Sequence, residues 1–199
     1  NNHIGVPITL LWMRESHRAA VIEMGASARR EIARLAAIAA PGIAIITNAG
    51  PAHLGGFGGT LRDVAEAKGE LFAGLPAGSV AVINRDDPFY GYWRGLRDDI
   101  TYRSFGLSAE ADYRAVDVQA LGVQGLRFRM LTPSGEIPVN LPMAGGHNVR
   151  NALAAAAEMV LAIERIGAAQ PGLVATVGRM QVLPGAVNVI PQDVVFSID

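Results

Sequence analysis

Short apolar runs alternate with amphipathic stretches of helix length over the first hundred residues, and this alternation leaves few folds open. Residues 19–24 (AAVIEM), 43–47 (IAIIT) and 79–83 (SVAVI) have the length and apolar content of buried strands. Residues 29–40 place Ile32, Leu35, Ala36 and Ala39 on one helical face and stop at Pro41-Gly42. Residues 60–73 read as a second helix. Residues 88–97 read as a third, capped by Asp86 or Asp87. Strands and helices at this pitch predict βαβ units, a parallel sheet and right-handed crossovers. In such a sheet the ligand crevice lies beyond the carboxyl ends of the strands. Glu23, Asn48, His53 and Asn84 all fall at or just past those ends.

The rhythm changes near residue 100. TYRSFG, YRAVDVQA, GLRFRMLT and EIPVNL are strand-like and separated by turn residues, and Arg127 and Arg129 alternate with Phe128 and Met130. A helix from about 147 to 166 follows, with Leu153, Ala156, Val160 and Ile163 on one face. Two further strands are expected at 173–182 and 193–198, around a Pro184-Gly185 turn. The expected fold is α/β: a mainly parallel sheet flanked by helices, a β-rich insertion near 100–141 and a small C-terminal strand appendage. With 50% hydrophobic and 18% charged residues, the chain can bury a core. A net charge of −1 gives no basic surplus for nucleic acid. The absence of cysteine excludes disulfides and thiolate metal sites. No apolar run reaches the roughly 18 residues of a membrane helix, and no signal-peptide pattern opens the chain. No membrane insertion and a cytoplasmic location are therefore expected. The chain opens on Asn1 rather than Met and closes at Asp199 inside a strand-like run, so it reads as a fragment.

The least ordinary residue is Lys68. On the 60–73 helix, Leu61, Val64, Ala65 and Phe72 share an apolar face, and Lys68 lies on it too. An unpaired ammonium is expensive to bury. Either the side chain snorkels, with its stem buried and its head in water, or it serves chemistry. Glu23 and His53 could join it, since a carboxylate and an imidazole at neighbouring strand ends suit a divalent cation beside phosphate oxygens. Taken singly, Glu23 is equally a cap acceptor or a surface residue, and His53 equally a loop hydrogen-bonder.

Six ordered segments carry a family resemblance. They are NNHIGVPITLL at the start, EMGAS at 23–27, TNAGPAHLGGFGG at 47–59, AEAKGELF at 65–72, NRDDP at 84–88 and GGHNVRNALAAAA at 145–157. Together they make residues 1–157 resemble the central, ATP-binding domain of the Mur ligases. The resemblance implies a role for each matching residue. Glu23 and His53 match magnesium ligands, and Lys68 matches a lysine carried as a carbamate that serves as a further metal ligand and catalytic group. Asn84, His147 and Asn148 match positions near the nucleotide, and Asn1 and Asn2 match a pair facing substrate, whose plain alternative is a turn. Implied cofactors are ATP and Mg2+, and the implied partners are nucleotide and a UDP-linked muramoyl peptide. The implied reaction, a step of peptidoglycan precursor synthesis, is amide formation. ATP phosphorylates a substrate carboxylate, a dipeptide amine attacks the acyl phosphate, and phosphate leaves.

The sequence also departs from that pattern. The family's phosphate loop, GxxxxGK followed by Ser or Thr, is nowhere in it, and position 55 is Gly where many relatives carry Glu. Residues from about 152 to 199 resemble the lid, or dimerisation, domain of N-carbamoyl-L-amino-acid hydrolases and allantoate amidohydrolases, with 158–199 expected as the lid-domain fragment itself. GAVNVIP is the most specific motif there, and Asn188 matches a substrate-contacting asparagine; a strand and turn is the plainer reading. The two resemblances meet in the Ala-rich run 152–157, so a chimera is an expectation. Three functions stay open: a truncated amide ligase without activity of its own, an amidohydrolase fragment, and a non-catalytic α/β module.

Overall fold

The computed structural model describes residues 2–17, 19–51, 54–168, 177–182 and 194–198, with side chains as far as residue 165. The chain divides into two compact units, Asn1–Ala81 with Asp87–Tyr102, and Val82–Asp86 with Arg103–Asp199.

The first unit opens with α1 (Gly5–Leu11), which the apolar periodicity did not reveal. Just before it, Asn2 Oδ1 accepts from the Ile4 and Gly5 amides, both at 3.1 Å. Residues 19–24 are not a strand, contrary to expectation. Residues 19–21 are exposed and only 22–24 alternate between half-buried and exposed; no ladder pairs them, and apolar content alone does not make a strand. Helix α2 (Glu31–Ala39) buries Ile32, Leu35 and Ala36, the face expected of it. Strand β1 (Ile43–Ile46) follows, then the single turn α3 (Leu54–Phe57). Helix α4 (Leu61–Ala73) begins with a capping box: the Thr60 hydroxyl accepts from the Asp63 amide, and the Asp63 carboxylate accepts from the Thr60 amide. At its other end Arg97 donates to the carbonyls of Ala73 and Leu75, at 3.2 and 2.6 Å. Strand β2 (Val80–Asn84) is buried throughout. Helix α5 (Tyr90–Arg94) is shorter than the expected 88–97 because Pro88 and Gly95 bracket it. Trp93 on α5 is fully buried and its indole N–H donates to the Ala65 carbonyl at 2.8 Å, fastening α5 to α4.

The second unit is built on a mixed sheet in the order β3-β4-β5-β6-β7-β8. Its strands are β3 (Thr101–Gly106), β4 (Tyr113–Ala120), β5 (Leu126–Thr132), β6 (Gly135–Leu141), β7 (Val177–Val182) and β8 (Val194–Ile198). The β3–β4 and β6–β7 pairs are parallel, whereas β4–β5, β5–β6 and β7–β8 are antiparallel. The β-rich stretch and the C-terminal strands are thus both present. The alternation read from β5 holds: Phe128 and Met130 are buried while Arg127 and Arg129 face water. A register shift between Val116 and Gln119 places Asp117 at φ 53°, and Arg129 pairs with its carboxylate across the bulge. Helix α6 (Gly146–Ala168) buries Leu153, Ala156 and Val160, the face expected of it. The Pro184-Gly185 turn and Asn188 lie outside the described residues.

Candidate functional site

In the first unit, three loop segments converge on the start of α4. Phe57, Val64 and Ala67 form a small buried cluster, and Ala26, Ala49 and Leu54 pack around it. Those three alanine and leucine side chains come from the stretch after Glu23, the stretch after β1 and the residue after His53. The approach is close enough to require glycine: a Cβ on Gly56 would lie 1.9 Å from the Ser27 carbonyl oxygen. Arg29 fixes the same junction. Its Nε donates to the Phe57 carbonyl at 3.1 Å, and its Nη2 reaches the carboxylates of Asp63 and, at 3.2 Å, Glu66 on α4. Hydrogen bonds from Thr60 and then Arg29 hold the Asp63 carboxyl below the usual carboxylate range. Glu31 turns the chain just before this, its carboxylate accepting from the Ser27 and Ala28 amides at 2.7 and 3.2 Å. Those two bonds lower its pKa.

Lys68 is half-buried on α4, between the fully buried Ala67 and Gly69. Burial pushes its amine below the ordinary lysine value, while the Asp87 carboxylate acts through space in the opposite direction. Asp87 itself is committed to backbone, accepting from the Ala49 and Phe89 amides at 3.0 and 2.8 Å. Glu23 is exposed on the irregular stretch before Ala26. His53 and Asn1 lie outside the described residues. Among the described residues no three His, Cys, Asp or Glu side chains gather at metal-binding spacing. Asn2 Oδ1 makes a local turn before α1 by accepting from the Ile4 and Gly5 amides.

In the second unit, the end of β2 and the start of α6 carry the other expected residues. Asn84 is buried, and its Oδ1 accepts from the Asp86 amide at 3.0 Å. Asn148 is buried too, its Nδ2 donating to the Ala144 carbonyl at 2.7 Å. His147 is exposed beside Gly145, whose φ of 102° suits glycine and whose Cβ would lie 2.8 Å from the imidazole. Gly146 opens the helix with free space around it. Two residues that sequence reasoning passed over, Asp86 and Arg150, are ion-paired here at 3.3 Å. The sequence offers Asp86 only as a possible helix cap.

Residues 1–159 match the Mur ligase middle domain family. The chain belongs to the Mur ligase family. A UDP-N-acetylmuramoyl-tripeptide–D-alanyl-D-alanine ligase of Escherichia coli is 37% identical over 186 residues, covering 93% of this chain and 40% of that protein. An alignment of that length runs well past residue 158, so the stretch expected to be amidohydrolase-like is matched, in most of its length, by a Mur ligase relative. A crystal structure of MurF from Acinetobacter baumannii superposes with a TM-score of 0.75 at 38% identity, covering 81% of this chain and 35% of that one. The MurF ligase of Thermotoga maritima, solved in complex with ADP, gives a TM-score of 0.65 at 25% identity, covering 80% of this chain and 36% of that one. This Mur ligase domain therefore spans two fifths or less of the length of these relatives. Among its described residues no helix is long and apolar enough to cross a membrane.

Proposed function

We propose that this chain is the nucleotide- and magnesium-handling middle domain of a cytoplasmic ligase that joins D-Ala-D-Ala to a UDP-MurNAc-tripeptide. Support comes from the likeness to the E. coli D-alanyl-D-alanine ligase, from the ADP held by the T. maritima relative, and above all from Lys68. A half-buried amine pushed toward neutrality, with an anion nearby, is a poor structural device and a good nucleophile for carbon dioxide. The neutral amine attacks the carbon of CO2, a C–N bond forms, one C=O π pair moves to oxygen, and the nitrogen gives up one proton to solvent water. The product is a carbamate anion, which replaces an unwanted buried cation by an oxygen donor.

That donor set fits magnesium. The ion prefers hard oxygen ligands and takes few from protein, and Glu23 with a carbamylated Lys68 would supply carboxylate-type oxygens, joined by the His53 imidazole. When bound, the ion neutralises phosphate charge as the acyl phosphate forms. The residues of this chain provide the frame. Arg29 and the Gly56 approach fix the segments around the candidate ligands, and α4 holds Lys68 at a set depth. Asn84, His147 and Asn148 are proposed to receive the nucleotide base, the exposed imidazole offering a flat face beside the open start of α6. Asn1 and Asn2 are proposed to face the peptide substrate.

Calorimetric titration with magnesium–ATP tests the reading. Heat and a raised melting temperature at millimolar ligand are expected, and Lys68→Met should abolish the magnesium-dependent part. Absence of both heat and thermal shift would remove the ligase-site reading for this chain. Intact-mass spectra under carbon dioxide should show one added CO2 in the wild type and none in K68M.

A further inference from the structure

The Asp86 carboxylate accepts three hydrogen bonds in the second unit. Its side chain is 16% exposed. Oδ2 accepts from the Leu107 amide at 2.8 Å and from Nε of Arg150 at 3.3 Å, and Oδ1 accepts from the Ser108 amide at 3.0 Å. Its own amide donates to Oδ1 of Asn84. The backbone is shaped to admit it, since a Cβ on Gly106 would stand 2.8 Å from its Oδ1. The neighbouring Arg85 amide donates to the Phe105 carbonyl at 2.7 Å, so the end of β3 is held from both sides. A helix cap needs none of this. Asp86 instead joins three places: the end of β2 at Asn84, the turn after β3, and the first turn of α6. Arg150 lies on that turn, two residues after Asn148 and three after His147.

We propose that Asp86 is a positioning residue for nucleotide binding. Through Arg150 it sets the placement of His147 and Asn148, and through its amide it fixes the Asn84 side chain. The proposal rests on the nucleotide reading given above. Asp86→Asn keeps the size of the side chain but replaces one acceptor oxygen by a donor, so at least one of its three bonds is lost. Because the charge also goes, the bond from Arg150 weakens most.

The test uses the full chain, ADP as the probe, and the variants Asp86→Asn, Arg150→Met and the pair together. Calorimetry at low temperature, where all variants are folded, should show ADP affinity falling about tenfold in each single variant. The double variant should be no weaker than D86N alone, because both changes cut one connection. Magnesium binding measured without nucleotide should not move. Without any ligand, amide exchange at residues 150–153 should quicken in D86N and R150M relative to the β5–β6 hairpin. A purely structural Asp86 would lower the melting temperature and leave ADP affinity unchanged, which overturns the proposal. Additive losses in the double variant, or unchanged exchange at 150–153, overturn it as well. If ADP binds neither wild type nor variants, the nucleotide reading falls and takes the ligand half of the proposal with it. The exchange data then still decide whether Asp86 holds α6.

Discussion

Replacing Glu158 by Gln should remove most of the fall in stability of this protein between pH 4.5 and pH 7. Glu158 lies on α6, beside the buried Ala157, and burial alone pushes its carboxyl up to about 7 from an ordinary value of 4.5. No charged partner contributes to that rise. The fold therefore prefers the protonated acid. Below pH 4.5 the group is protonated in both folded and unfolded chains and contributes nothing to pH dependence. Between 4.5 and 7 the unfolded chain ionises first, so stability falls as pH rises, and the penalty is complete above 7. A difference of this size corresponds to about 3 kcal/mol. That figure is a ceiling, because Glu158 keeps partial solvent contact and can relax toward it. For a chain of this length, about 3 kcal/mol amounts to about 6–12 °C in melting temperature. Gln has nearly the same shape and cannot ionise. Urea unfolding of wild type and E158Q at pH 5 and pH 8 measures the effect. The two proteins should be nearly equal at pH 5, and E158Q should be clearly more stable at pH 8. Parallel pH profiles would refute the reasoning, since every other titrating group is common to both.

The remaining expectations concern single positions in the first unit. Lys68→Met should raise the urea midpoint at pH 7 and erase the gain in stability that the wild type shows on alkalinisation. Its buried amine is penalised while charged and relieved once deprotonated. Arg30 begins α2 at φ 67° and Ala40 ends it at φ 43°, so Arg30→Gly and Ala40→Gly should each stabilise by about 1 kcal/mol in chemical unfolding. The Arg30 amide keeps its bond to Glu70 in that variant. Trp93→Phe should destabilise by about 2 kcal/mol, through the lost bond to the Ala65 carbonyl and the void left in a fully buried site. Unchanged unfolding midpoints would show that α5 is not fastened by that indole.

The elements with strong internal periodicity were legible in the chain alone. Helices α2, α4 and α6 repeat apolar residues at helical spacing, and β5 alternates, so each buries most of the face its pattern names; Leu61, on the first turn of α4, is exposed instead, and Ala39 and Ile163 are half-buried. Residues 19–24 misled because apolar content marks a segment for partial burial, whereas a strand also needs a ladder. Helix α1 escaped because its first turn has no acidic residue and only Val6 is buried. At the site, Lys68 was found because a charge interrupted an apolar face. Asp86, Arg150 and Arg29 were not found, because their work is done by hydrogen bonds to partners 21, 64 and 28 residues away. No local pattern encodes such distances. Arg30 and Ala40 carry no glycine to announce their left-handed backbone.

The Gly56–Ser27 approach has a mechanical consequence. With 1.9 Å between a would-be Cβ and a backbone oxygen, the two loops have no slack where they meet. A shift of a few tenths of an ångström in the 54–57 turn must be taken up by residues 25–28, and Arg29 passes it on to α4. A ligand that pulled on the 54–57 turn would therefore be felt at residues 25–28, and a pull on residues 25–28 would be felt in the turn.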